Sequence, residues 1–157
     1  MAKHMIFIMT FLCALSLVAQ DSIIELYRAD LKTEKRAIVA DVMIFTTAEE
    51  EAFWPVYRDF EYELSGINDR VISLIKEYAA SHETVTDEQA ASMLQEICKI
   101  KEERLKLEKS YAKKFAKVIS STKVMRFYQV HNELSMIADL QIGSNIPYVK
   151  NISGAAK

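Results

Sequence analysis

Glycine and proline are scarce in this sequence, which has three Gly and two Pro in 157 residues. Between Ser22 and Ile142 the only examples are Pro55 and Gly66. Phosphate-binding loops, dinucleotide-binding turns and β architectures with many hairpins all need glycine at fixed positions. The scarcity of glycine therefore excludes these classes and favours a chain built from helices.

Neither charge sign is in strong excess, because 20 Lys+Arg stand against 22 Asp+Glu and the formal net charge is −2. A domain that binds nucleic acid normally carries a large positive excess, so we expect no nucleic-acid partner. Half of the residues are hydrophobic, which is enough for one folded domain and too many for a chain that is disordered throughout.

Residues that could carry out chemistry are few and form no known motif. The sequence has two cysteines and three histidines, and no His-Glu-x-x-His, Cys-x-x-Cys or calcium-loop pattern. His82 with Glu83, or His131 with Glu133, are conceivable metal ligands, but a structural or solvent-facing role is the simpler interpretation. We therefore predict that the protein is not an enzyme and uses no metal or cofactor.

The N-terminus has the pattern of a secretory signal peptide. Lys3 and His4 precede an apolar run from Met5 to Ala19, and polar Gln20 follows. This run has 15 residues, whereas a helix that crosses a bilayer needs about 20. We expect cleavage after Ala19 and export to the periplasm, with membrane contact only through this segment where it stays uncleaved.

Cleavage would remove one cysteine and leave Cys98 as the only thiol in an oxidising compartment. No disulfide can then form within the mature chain. Two interpretations of Cys98 remain open. It is an intermolecular bridge or reactive thiol, or it is a small residue on the flank of a helix, a role that free cysteine fills well.

The spacing of apolar residues predicts an all-α protein, an elongated four-helix hairpin or bundle with long central helices. Apolar side chains recur every three or four positions, which places them on one face of a helix. The predicted division is a signal peptide at 1–19, a helical domain at 20–142 and a short extended C-terminal tail at 143–157. Within the domain we expect helices at about 22–45, 48–80, 87–119 and 122–141.

The second predicted helix carries the most regular apolar row in the chain. Its steps of three and four residues predict a helix that packs lengthwise against partners. Pro55 removes one backbone donor, so we expect a kink nearby. The adjacent Trp54 is expected to pack or to make a dimer contact, with a peptide-binding patch as the alternative. The row consists of Phe53, Tyr57, Phe60, Leu64, Ile67, Val71, Leu74 and Tyr78.

Helix caps are predicted at three places. Thr46 and Thr47 are each followed three residues later by a glutamate, and Thr86 is followed in the same way by Gln89. This spacing is the capping-box signature, in which side chain and backbone satisfy each other at the start of a helix. Ser120 is expected to cap the fourth helix.

Charge is distributed unevenly along the predicted helices. Residues 46–70 contain seven acids and two bases, whereas residues 99–126 contain ten bases and three acids. An antiparallel hairpin would bring the acidic start of the second helix to the basic end of the third. The first helix carries a basic row that is either a solvated face or a contact surface for acidic partners. That row consists of Arg28, Lys32, Lys35 and Arg36.

The segment Val85-Thr86-Asp87-Glu88-Gln89 is similar to the sequence Leu-Thr-x-x-Gln, and segments 45–49 and 119–123 have a related form. Together with an export signal and a long helical hairpin, these segments resemble the Spy/CpxP-like periplasmic proteins, the LTxxQ-motif family. The resemblance covers roughly residues 21–142. Members of that family form helical dimers and act as ATP-independent chaperones, envelope-stress regulators or metal-responsive sensors.

The resemblance implies an exported homodimer that holds unfolded or envelope proteins by surface contact. The threonine and serine caps would then be structural, and the client surface would mix positive charge with apolar side chains. Candidate client-binding residues are Arg28, Lys32, Lys35, Arg36 and Trp54. Two alternatives remain: a periplasmic sensor or regulatory subunit that binds a partner or a metal and signals across the envelope, and a membrane-associated structural protein.

Overall fold

The computed structural model describes residues 34–150, and within this range it confirms an all-α protein without strands. The predicted signal peptide, the start of the first helix and the end of the tail lie outside the described residues. The chain divides into two compact units, the first ending at Ile44 and the second beginning at Phe45. The four helices are α1, described over 34–43, α2 at Thr47–Ser81, α3 at Asp87–Phe115 and α4 at Ser121–Gly143. In the described part of the chain, none is long and apolar enough to cross a membrane.

Helix α1 ends two residues earlier than the sequence predicts, at residue 43 rather than 45. The next residue, Ile44, has a positive φ of 49°. A β-branched side chain rarely adopts this left-handed conformation, and it takes the chain out of the helical path. Val39 and Met43, four residues apart on one side of α1, are both buried.

Two of the predicted caps form complete capping boxes. The Thr46 hydroxyl accepts from the backbone N–H of Glu49 at 3.3 Å, and the Thr46 N–H donates to the Glu49 carboxylate at 2.9 Å. Thr86 and Gln89 make the equivalent pair at the start of α3. The prediction of Thr47 as a further cap is wrong, because this residue is the first residue of the helix itself.

The Ser120 hydroxyl accepts from the backbone N–H of Lys123 at 3.4 Å and is the N-cap of α4. Helix α3 ends at Phe115, four residues before the predicted end. Tighter hydrogen bonds, from Lys117 N–H to the Lys114 carbonyl and from Val118 N–H to that of Phe115, replace the α-helical pattern.

Helix α2 is continuous through Pro55 and has 35 residues, a length of about 52 Å. It pairs with α3 through the turn at 82–86, where Val85 is buried. Helix α4 then returns along the hairpin. Its Tyr128 hydroxyl donates to the Glu108 carbonyl of α3 at 2.6 Å, and the segment that follows α4 reaches α2, where the Tyr78 hydroxyl donates to the Pro147 carbonyl at 2.7 Å.

An aromatic core joins the start of α2, the end of α3 and the start of α4. Phe53 and Phe60 come from α2, Phe115 from α3 and Phe127 from α4, and all four are fully buried. The Phe115 ring centre lies 5.1 Å from that of Phe53 and 4.7 Å from that of Phe127. Aromatic pairs at these distances add to the free energy gained from area burial alone.

The apolar row of α2 is buried over only half of its length. Its first four members, from Phe53 to Leu64, are buried, whereas the last four, from Ile67 to Tyr78, are half-buried. The aromatic core covers the first half. The second half faces smaller buried residues of α3, such as Met93 and Ile100, and polar bridges between the helices.

Candidate interaction surface

The side chains predicted to bind clients come from different parts of the chain, and the structure describes three of the five. Arg28 and Lys32 lie outside the described residues. Lys35 is half-buried and Arg36 exposed on α1. Trp54 is half-buried in α2, where its indole N–H donates to the Glu50 carboxylate at 3.3 Å.

Trp54 belongs to the aromatic packing of the chain. Its ring centre lies 5.3 Å from those of both Phe53 and Tyr57, and 6.3 Å from that of Phe45. These edge-on contacts show that the Trp54 ring packs within the chain, and the first interpretation of this residue also allowed a dimer contact.

A second mixed surface exists on α3. Leu94 and Leu105 are 62% and 50% exposed, large fractions for leucine. They are eleven residues apart, about three helical turns, and therefore lie on the same side of the helix. Cys98 and Lys101 continue this row at steps of four and three residues, and both are exposed.

Lysines surround the second leucine of this row. A shallow groove of about 460 Å³ runs along α3 there, and its lining has three lysines against one glutamate and one leucine. The groove is lined by Glu102, Leu105, Lys106, Lys109, Ser110 and Lys113. We call this exposed side of the helix the α3 outer face; it consists of Leu94, Cys98, Lys101, Leu105, Lys106, Lys109 and Lys113.

Polar bridges on the opposite side of α3 fix the rotation of the helix. Arg70 of α2 donates to the Glu96 carboxylate, with its Nε at 3.0 Å, and also binds Glu103. Hydrogen bonding to Arg70 holds the pKa of Glu96 below its ordinary value. Arg104 donates to the Asn68 side-chain oxygen at 2.8 Å. These contacts turn one side of α3 toward α2 and leave the outer face toward solvent.

A second set of contacts involves the acidic start of α2. The Tyr111 hydroxyl donates to the Glu63 carboxylate at 2.6 Å, and Lys114 lies 3.9 Å from the same carboxylate and 3.7 Å from the centre of the Tyr111 ring. Burial, together with the hydrogen bond to Glu63, raises the pKa of Tyr111. The Lys123 ammonium donates to Glu49 at 2.5 Å and lowers the pKa of that carboxyl.

The predicted charge pairing between the hairpin helices holds only in part. Bases near the end of α3 and the start of α4 do reach acids of α2, as Lys114 and Lys123 show. The bridge at Arg70 has the opposite polarity, with the base on α2 and both acids on α3. The lysines of the α3 outer face are on the side away from these bridges.

The two histidine pairs considered as metal ligands do not form a ligand cluster. His131 is buried, 3.7 Å from the Glu108 carboxylate, while Glu133 is exposed. His82 lies 3.0 Å from the Ala79 carbonyl oxygen and 4.0 Å from Glu83. No group of three or more potential metal-ligating side chains occurs among residues 34–150.

The His131 ring is part of the core and lies beside the half-buried carboxyl of Glu108. Its centre lies 5.2 Å from that of Phe60 and 5.9 Å from that of Phe127. Burial raises the pKa of Glu108, and the charge of Arg104 opposes this shift. Sequence inspection missed this pairing because His131 and Glu108 are far apart in the chain and belong to no motif.

Sequence reasoning also missed the α3 outer face, although a signal for it was present. The positive excess of residues 99–126 is larger than the acidic start of α2 can neutralise. A charge surplus of this kind indicates that some bases face solvent. The exposed leucines among them are visible only when burial is known.

No protein-family model matches the chain, and no curated protein or solved structure matches it. The resemblance to the Spy/CpxP-like proteins therefore stays a prediction.

Proposed function

We propose that the protein is an exported, ATP-independent helical chaperone or envelope-stress protein that holds unfolded or envelope proteins by surface contact. The observation that supports this proposal is the α3 outer face, where Leu94 and Leu105 are exposed among lysines. Exposed apolar side chains with a polar rim are typical of sites that contact other proteins.

The composition of this face suits partners that are not uniquely folded. Leucine side chains offer apolar contact without directional requirements, and unfolded chains expose apolar segments. Lysine stems are flexible and partly apolar, and their ammonium groups attract acidic segments over several ångströms. Such a face binds many sequences weakly rather than one sequence tightly.

The proposal predicts that the purified full-length protein suppresses aggregation of a chemically denatured client diluted into buffer, without nucleotide. Leu94→Ser combined with Leu105→Ser should reduce the suppression several-fold, measured by light scattering. Tyr62→Ser is the matched control, because Tyr62 is an exposed large side chain on α2, away from this face. The control should suppress aggregation as well as the unaltered protein does.

Two results would contradict this function. The first is an absence of suppression at several-fold excess of the protein over client. The second is equal suppression by the leucine double variant and by the unaltered protein. Binding to one folded envelope protein, with no effect on several unrelated clients, would favour the sensor or regulatory subunit instead.

A further inference from the structure

The α3 outer face carries more positive charge than contacts within the hairpin neutralise. Between residues 94 and 113 the exposed side chains of α3 include five lysines and one acid, Glu102. Within residues 34–150, Lys106, Lys109 and Lys113 form no ion pair, whereas Lys114 lies 3.9 Å from the Glu63 carboxylate. Three positive charges therefore face solvent within about two turns of one helix.

Apolar side chains run along the same side of the helix, between the lysines. Successive residues of a helix are turned by about 100°, which places Leu94 and Leu105 within about 20° of one another. Lys101 lies at one edge of this apolar strip, and Lys109 and Lys113 lie at the other edge. Leucines with lysines at both edges are typical of a helix that lies along a membrane surface.

Contacts on the opposite side of α3 hold this face in a fixed orientation. Arg70 of α2 donates to Glu96, and Arg104 donates to Asn68, so α3 cannot turn about its axis without breaking these bonds. The helix is continuous, and its part from 94 to 113 is about 28 Å long. It therefore presents its lysines and leucines to a flat surface together, without the entropy cost of ordering a flexible segment.

Charge complementarity indicates which flat surface suits this face. Lysines near an anionic bilayer are attracted to the lipid phosphates, and the attraction adds up over several lysines without requiring a pocket. The groove beside Leu105 is shallow and open, which suits many headgroups better than one enclosed ligand. Lysine stems are long enough for the ammonium groups to reach phosphates while the leucines contact the outer ends of the acyl chains.

We propose that the α3 outer face docks the protein on an anionic lipid bilayer. In the docked protein the helix lies parallel to the surface, with its lysines at the headgroup phosphates and Leu94 and Leu105 at the boundary of the acyl chains. This role goes beyond the holding function of the same face. The two proposals are tested apart, because vesicle binding is measured without a client and aggregation suppression is measured without vesicles.

The first test is co-sedimentation of the full chain with lipid vesicles. Vesicles of phosphatidylcholine alone are compared with vesicles of equal parts phosphatidylcholine and phosphatidylglycerol. The comparison separates binding by charge from any binding by the apolar run near the N-terminus. The unaltered protein should bind the anionic vesicles more tightly by about tenfold or more, and added salt should remove the difference.

Substitutions of lysine locate the charged contact. Lys106→Gln combined with Lys113→Gln should remove most of the preference for anionic vesicles. Arg58→Gln combined with Lys150→Gln is the matched control, because it removes the same charge at exposed positions of α2 and of the segment after α4. The control should keep most of the preference. Circular dichroism checks that all variants remain helical.

The second test shows which side of the hairpin meets the lipid. In a Cys13→Ser background, an environment-sensitive fluorophore is attached to Cys98, which is exposed on the α3 outer face. Its emission should shift to the blue when anionic vesicles are added. The same label on a Tyr62→Cys chain that also carries Cys13→Ser and Cys98→Ser should not shift, because Tyr62 is exposed on α2 away from this face.

Several results would overturn the proposal. One is equal binding, or no binding, to neutral and anionic vesicles. Another is a preference for anionic vesicles that the substitutions at Lys106 and Lys113 leave unchanged, or a blue shift at position 62 and none at Cys98. Tighter binding of soluble poly-glutamate than of anionic vesicles would also overturn it, because the face would then take an acidic protein instead of a bilayer.

Discussion

Thr46 makes the two hydrogen bonds that begin α2, and its neighbour Thr47 makes neither. Thr46→Ala should lower the free energy of unfolding by about 1 kcal/mol, because the backbone N–H of Glu49 loses its side-chain acceptor. Thr47→Ala is the matched control. It should change stability by about 0.5 kcal/mol or less, and in the stabilising direction, since alanine is the better helix former.

Urea unfolding followed by circular dichroism measures both capping variants. The Thr46 N–H bond to Glu49 and the Lys123 bond to Glu49 do not involve the hydroxyl and stay in place in the variant. The surface exposed on unfolding is then nearly unchanged, so the slope of the unfolding free energy against urea concentration should stay constant. Equal destabilisation by the two substitutions would show that the capping box at Thr46 adds no stability beyond the packing of a threonine side chain.

At the scale of one element, α3 and α4 meet at Glu108, whose half-buried carboxylate lies 3.7 Å from His131. Because burial raises the pKa of this carboxyl, its charged form is disfavoured in the folded protein. Above both the folded and the unfolded pKa, the charged carboxylate of Glu108 lowers the stability of the folded state. As the pH falls from the folded pKa to the unfolded pKa, the carboxyl takes up a proton in the folded state first, and stability increases. Glu108→Gln removes that charge while keeping the shape of the side chain.

Glu108→Gln should therefore raise the melting temperature at pH 7. The difference from the unaltered protein should shrink as the pH falls and disappear below the unfolded pKa of about 4.3. Melting curves at several pH values give the comparison, and Glu102→Gln, at an exposed position of the same helix, is the control that should show no such trend. A loss of stability at pH 7 would mean that the contact with His131, 3.7 Å away, outweighs the cost of burial.

The elements themselves were largely predictable, because their signals are local. Caps such as Thr86 and the steps of three and four residues in α2 depend on neighbours in the sequence. The end of α1 was not predictable, since Ile44 adopts a left-handed backbone conformation that its β-branched side chain disfavours. The exposed apolar side chains of α3 and α4 also escaped prediction. Apolar residues occur on both sides of these helices, and only packing decides which side is buried.

At the scale of the whole molecule, the second unit is packed unevenly. The aromatic core lies at the end of the hairpin where α3 is followed by α4. The opposite end, around the turn at 82–86, has smaller buried residues and relies on polar contacts from the C-terminal segment. There the Tyr78 hydroxyl donates to the Pro147 carbonyl, and Lys150 donates to Glu83 at 2.5 Å. We therefore expect the two ends to open with different free energies.

Native-state hydrogen exchange should show this difference directly. Amides at 74–81 and 87–93 should exchange faster than amides at 53–64, because fewer large side chains must separate to expose them. Tyr78→Phe should accelerate exchange at the first two segments only, since it removes the bond to Pro147 and leaves the aromatic core intact. Tyr62→Phe, at an exposed position, is the control and should change neither. Uniform exchange rates along α2 would show that the hairpin opens as one unit, contrary to the uneven packing.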